Sequence, residues 1–275
     1  MPIDTSSYYP EVPNPEGKED NFSLNRERGG LFGDSPATPP PTPEPPSSPE
    51  PKDVHRPETR RSKDDEVSPA ERFATVVSNL LSWLLVPLLM PVYGLILAFG
   101  LSILDVVPMG MRVLFTAIAF GINVVIPMIL VFLLKKMGLI EDIGLNGQKE
   151  RLIPYIITVV CFGGTAWFFA AKGAPIWLPM FFAGGALAAL VNLIINFKWK
   201  ISAHAAGIAG IVALLIRIAK DGSPEPQLFL WLLLSIGIAG LLGSARVWLG
   251  RHTVWQVLAG YAVGFCSVFF LTMIH

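Results

Sequence analysis

From residue 73 to the end of the chain, long apolar stretches alternate with short polar ones, and each apolar stretch approaches or exceeds the roughly 20 helical residues that cross a hydrocarbon core. Seven such stretches are predicted, at 73–101, 111–134, 153–171, 176–197, 202–218, 227–244 and 253–274. Backbone groups in lipid must be satisfied within a helix or around a closed barrel, and the runs lack the apolar–polar alternation of barrel strands. The pattern therefore predicts an all-α polytopic transmembrane bundle of about seven spans. Pro87, Pro91 and Pro127 fall inside the first two stretches and predict kinks there. Small residues gather at Gly184, Gly185, Ala188 and Ala189 and at Ala203, Ala205, Ala206, Gly207, Ala209 and Gly210, where they predict close helix contacts.

Residues 1–70 are different in kind. They are rich in Pro, Ser, Glu, Asp and Lys, and residues 38–51 read TPPPTPEPPSSPEP, too poor in apolar side chains to offset chain entropy. A disordered, Pro-rich, partly extended tail (1–70) is expected ahead of a membrane domain (71–275), with no cleavable signal peptide at its start. The composition agrees with this division. With 52% hydrophobic and 15% charged residues, the chain is far from a soluble domain, and the equal totals of 21 basic and 21 acidic residues hide a polar first quarter and an apolar remainder. Cys161 and Cys266 both lie in apolar runs, so neither a disulfide framework nor a metal cluster is expected.

Each span crosses the bilayer once, so alternate connections share a side. Counting from the tail, the connections at 135–151, 198–204 and 246–252 all return to the tail's side, and all three are basic. The first contains Lys149 and Arg151 just before Pro154, the second Ser202 and His204 at a helix start, and the third Arg246 and His252 about a turn containing Gly250. Helix starts favour anions through their free amide donors. Basic groups converge there without a matching set of acids. Lys135, Lys136, Lys198 and Lys200 are read instead as orienting charges at helix ends, and Trp199, Trp248 and Trp255 as interfacial belt residues.

The third cluster resembles the type-2 phosphatidic acid phosphatase superfamily, in particular its compact bacterial multi-span members. That family has Ser-Arg, five residues, His, three residues, Asp; this chain has Ala245-Arg246, five residues, His252, three residues, Gln256. The family's Pro-Ser-Gly-His stands here as Ile201-Ser202-Ala203-His204, and its lysine six residues before Arg-Pro is echoed by KERLIP from Lys149 to Pro154. The resemblance extends over about residues 73–275. It implies a membrane lipid-phosphate or lipid-diphosphate substrate, with His252 as nucleophile, His204 as the acid for the leaving oxygen, and Lys149, Arg151, Ser202 and Arg246 holding phosphate. It implies no cofactor and no metal, and no nucleic-acid partner is expected beyond the lipid bilayer itself.

Gln256 stands where the family has an aspartate that orients the nucleophilic imidazole and stabilises its cation. A glutamine oxygen performs the first task and only weakly the second. Two readings therefore stay open: a hydrolase working through a phosphohistidine, and a catalytically weak or inactive lipid-phosphate binding or transport-like protein. A multi-pass protein of the bacterial inner membrane is expected, with the N-terminus and site on the cytoplasmic side.

Overall fold

The computed structural model describes residues 68–138, 152–222 and 226–274, and among the described residues the structure is helical with no strand. The expected tail (1–67 of it), Lys149 and Arg151 lie outside the described residues. Five long helices follow the predicted apolar runs to within a few residues: α5 (Leu152–Ala171), α6 (Trp177–Asn196), α7 (Ala203–Lys220), α8 (Leu228–Trp248) and α9 (Val254–Met273), numbered after the four shorter ones below. Apolar length alone sets them, because a helix in lipid can stop only where polar residues reach the interface.

The first predicted span is broken. Helix α1 (Pro69–Leu84) starts at a Ser68 cap whose hydroxyl accepts from the Glu71 amide while the Glu71 carboxylate accepts from the Ser68 amide. It therefore begins inside the segment that composition assigns to the tail. It ends because Val86 precedes Pro87 and is held extended, at ψ 140°, by the clash a proline imposes on its predecessor. A short 3₁₀ turn at Pro87–Leu89 leads into α2 (Met90–Leu101), and the two arms meet at 42°. Thr75 of α1 touches Trp248 at the end of α8, and α2 runs from Gly207 toward Leu214 along α7, so the pair passes from one end of the bundle to the other. Among the described residues six helical spans are long and apolar enough to cross a membrane, and seven when this broken pair is counted as one span.

The second span runs through α3 (Met109–Phe120) and α4 (Ile126–Lys136), joined by a π-helical turn at Gly121–Val125. A sharp kink at Pro127 is not needed, because the wider turn before it makes room for the ring. Within that turn the buried Asn123 amide donates to the Ala119 carbonyl at 2.9 Å, and its Oδ1 receives the Thr165 hydroxyl of α5 at 3.1 Å. Such polar pairs tie helices together where hydrocarbon offers no other partner.

Helix α7 is the centre of the bundle, packed chiefly on α9 and also on α8, α2 and α6. Gly260 and Gly264 make the α7–α9 contact possible: a methyl on Gly264 would collide with the Ala206 carbonyl and lie 2.6 Å from the Ala206 Cα, and one on Gly260 would strike the Ser202 carbonyl. Small residues in lipid are how backbones come this close. At the end opposite His204, apolar packing includes Phe169 stacked on Phe182 with centroids 5.3 Å apart. There the buried Arg217 pairs with Asp221 and donates from Nε to the Thr272 carbonyl of α9 at 2.7 Å. Arg217→Ala is expected to lower stability by about 2 kcal/mol, seen as an earlier thermal unfolding transition in detergent, because a buried carbonyl loses its charged donor.

Candidate functional site

The start of α7 and the start of α9 are joined by main chain. The Ser202 amide donates to the Gln256 carbonyl at 3.2 Å, an approach that Gly260 allows one turn further along. Ser202 is fully buried and is the N-cap of α7, its Oγ accepting from the Ala205 amide at 3.4 Å. Its amide is therefore committed to the protein, and its hydroxyl proton is the part left to donate. His204 follows in the first turn of α7, where Nε2 lies 3.1 Å from the Ser82 carbonyl of α1. A carbonyl only accepts, so this nitrogen carries the proton.

The turn between α8 and α9 fixes the second histidine. Gly250 adopts φ +63°, which lets the chain reverse so that the Arg246 carbonyl accepts from both the Arg251 and His252 amides, at 3.1 and 3.3 Å. Thr253 then caps α9 in a reciprocal arrangement with Gln256: the threonine hydroxyl receives the Gln256 amide at 3.4 Å and the glutamine Oε1 receives the Thr253 amide at 3.1 Å. That second bond identifies the atom as the oxygen. The same Oε1 stands 3.2 Å from Nδ1 of the buried His252. One side chain thus caps the helix and orients the imidazole.

Of the residues singled out from sequence, the structure brings Ser202, His204, Arg246, His252 and Gln256 to one end of the bundle. Leu152 at the start of α5 and Ala203 at the start of α7 both pack against the cluster of Tyr155, Ala189 and Leu193, so α5 begins at this same end. Trp199, Trp248 and Trp255 are outward-facing, as belt residues should be, and Trp248 also donates to the Thr75 hydroxyl at 3.2 Å. Sequence reasoning passed over three polar residues that are buried toward this end: Ser82 on α1, and Asn192 and Asn196 one turn apart in the last two turns of α6. The asparagine spacing within an otherwise apolar run was the available signal, since amides in hydrocarbon are costly.

These features define a multi-pass helical membrane protein in which two histidines near the starts of α7 and α9 and a half-buried arginine in the last turn of α8 gather at one end. Residues 180–275 match the family model described as the PAP2 superfamily, which agrees over this stretch with the resemblance to the type-2 phosphatidic acid phosphatase superfamily. The match spans α6 to α9 and includes Ser202, His204, Arg246, His252 and Gln256; it is shorter than the 73–275 over which the resemblance was expected. No curated protein and no solved structure matched the chain. The chain is thus a multi-pass helical membrane protein whose C-terminal stretch is similar to a phosphatase family.

Proposed function

We propose that this protein removes phosphate from a membrane lipid monoester or diphosphate through a phosphohistidine on His252. The contact between His252 Nδ1 and Gln256 Oε1 carries the reading. An amide oxygen accepts only, so Nδ1 holds the proton and the lone pair of the neutral ring falls on Nε2. Nε2 attacks phosphorus, the bond from phosphorus to the leaving oxygen breaks, and a His204 imidazolium gives that oxygen its Nδ1 proton while its Nε2–H stays on the Ser82 carbonyl. Water then attacks the phosphohistidine, returns a proton to His204 and frees inorganic phosphate. Arg246, Arg151 and Lys149 balance the charge on the equatorial oxygens and the Ser202 hydroxyl donates to one of them, the kind of fixed electrostatic support on which phosphoryl transfer depends. The excess of basic residues on this side supports a cytoplasmic-facing site in a bacterial inner membrane, since positive charge favours the cytoplasmic side. The test is release of inorganic phosphate by the purified protein from a panel of lipid mono- and diphosphates; activity on at least one, lost in His252→Ala, is expected. A panel without His252-dependent release sinks the proposal.

A second reading, a lipid-phosphate binder without turnover, is favoured by one observation: Gln256 is neutral where an imidazolium must form. Gln256→Glu separates the two. Glutamate keeps the side-chain length with which Gln256 reaches both Thr253 and His252, and it adds negative charge at a helix start, where negative charge is favourable. If turnover is limited by the missing charge, phosphate release should rise about tenfold, the equivalent of roughly 1.4 kcal/mol of added imidazolium stabilisation.

A further inference from the structure

Helix α1 presents its faces in the reverse sense to a surface helix of a soluble protein. Phe73, Val76, Leu80, Trp83 and Leu84 form one stripe and are exposed, Trp83 to 78%, whereas Ser78 and Ser82 on the opposite stripe are buried. In lipid the apolar stripe is well placed. Buried hydroxyls are not, unless each finds a partner.

Serines and threonines elsewhere in the bundle solve this locally by donating to the carbonyl four residues back: Ser102 to Ala98, Thr158 to Pro154, Thr165 to Cys161 and Thr272 to Val268. Ser82 does not. Its residue is 9% exposed, and its Oγ has no hydrogen-bond partner among the described residues. Yet the same residue's carbonyl is the group that meets His204 Nε2. The placement is braced from both sides, by Trp248 on Thr75 and by the Tyr93 hydroxyl on the Leu84 carbonyl at 3.0 Å. A hydroxyl donor is thus buried next to a histidine at the end of the bundle where basic residues gather, with no protein acceptor taken up.

We propose that Ser82 is a further residue of the phosphate site: its carbonyl keeps His204 protonated on Nε2, and its hydroxyl donates to an oxygen of the bound lipid phosphate. This rests on the reading of the site given above. It extends the site beyond residues 180–275 to a helix at the other end of the chain.

The test uses full-length protein in mixed micelles with phosphatidic acid as probe, and three variants: Ser82→Ala, Ser82→Thr, and Ser78→Ala as the buried hydroxyl without the contact to His204. Ser82→Ala should raise KM for phosphate release about tenfold, the effect of one lost hydrogen bond to a charged group, with kcat changed less. Ser82→Thr should stay within about threefold of wild type and Ser78→Ala within about twofold. Direct binding of phosphatidic acid against phosphatidylcholine is measured on the same proteins. If no His252-dependent release occurs, the hydrolase reading fails while the Ser82 proposal is still decided, since Ser82→Ala must weaken the preference for phosphatidic acid. Equal KM and equal binding in Ser82→Ala and wild type would overturn it. So would matching losses in Ser82→Ala and Ser82→Thr together with earlier thermal unfolding, which would mean that the hydroxyl serves packing alone.

Discussion

Phosphate release should fall by at least about 1,000-fold when His252 is replaced by alanine, because among the described residues no other group is placed to take over the proposed covalent step, and removing a nucleophile leaves only electrostatic help from its neighbours. The loss should appear in kcat. Lipid binding should change little, since the substitution leaves untouched the residues proposed to hold phosphate. The fold should also survive: Gln256 Oε1 keeps its bond to the Thr253 amide, so the start of α9 remains capped without the imidazole. Phosphate release, lipid binding and thermal unfolding measured on the same purified variant check all three statements. A variant that loses activity only because it unfolds earlier would not count as support.

The second large effect is expected far from any charge. A single methyl at Gly264 would occupy the space of the Ala206 carbonyl, so Gly264→Ala must push α7 and α9 apart. Overpacking of this kind costs about 1–3 kcal/mol. The functional cost should be larger, because the Ser202–Gln256 main-chain bond spans the same two helices and fixes one histidine against the other. A displacement of about 1 Å in a reacting geometry lowers rates on the order of 100-fold, which is the expected loss. Gly237→Ala is the control: a methyl there meets nothing within 4 Å, and both activity and unfolding should match wild type.

Much of this architecture was legible in the sequence for one reason. Apolar length in a membrane protein reports directly on helix ends, so α5 to α9 could be placed to within a few residues. The spacing of Arg246, His252 and Gln256 was equally direct, because a turn and a helix start hold such residues at fixed separations. The break at Val86 and the π turn at Gly121–Val125 were not legible: a proline announces a disturbance, but surrounding helices decide whether it becomes a break or a widened turn. Ser82 was hidden by the same logic. Whether a hydroxyl on an amphipathic helix faces solvent or a site depends on which stripe meets lipid, and that follows only from the neighbours α1 acquires. Lys149 and Arg151 keep the roles that the family resemblance implies, as proposals.

The main-chain bond between Ser202 and Gln256 also bears on how this site can change over time. Backbone amides and carbonyls belong to every residue, so the distance between the two helix starts does not depend on which side chains flank them. Ile201 and Ala203, standing where the family has proline and glycine, are substitutions the scaffold can absorb. The positions with least freedom are instead Gly260 and Gly264, which have no side chain to hold phosphate and lie outside the motifs that carry the family resemblance. In this protein the layout of the candidate site is set in large part by residues that lend it no side chain.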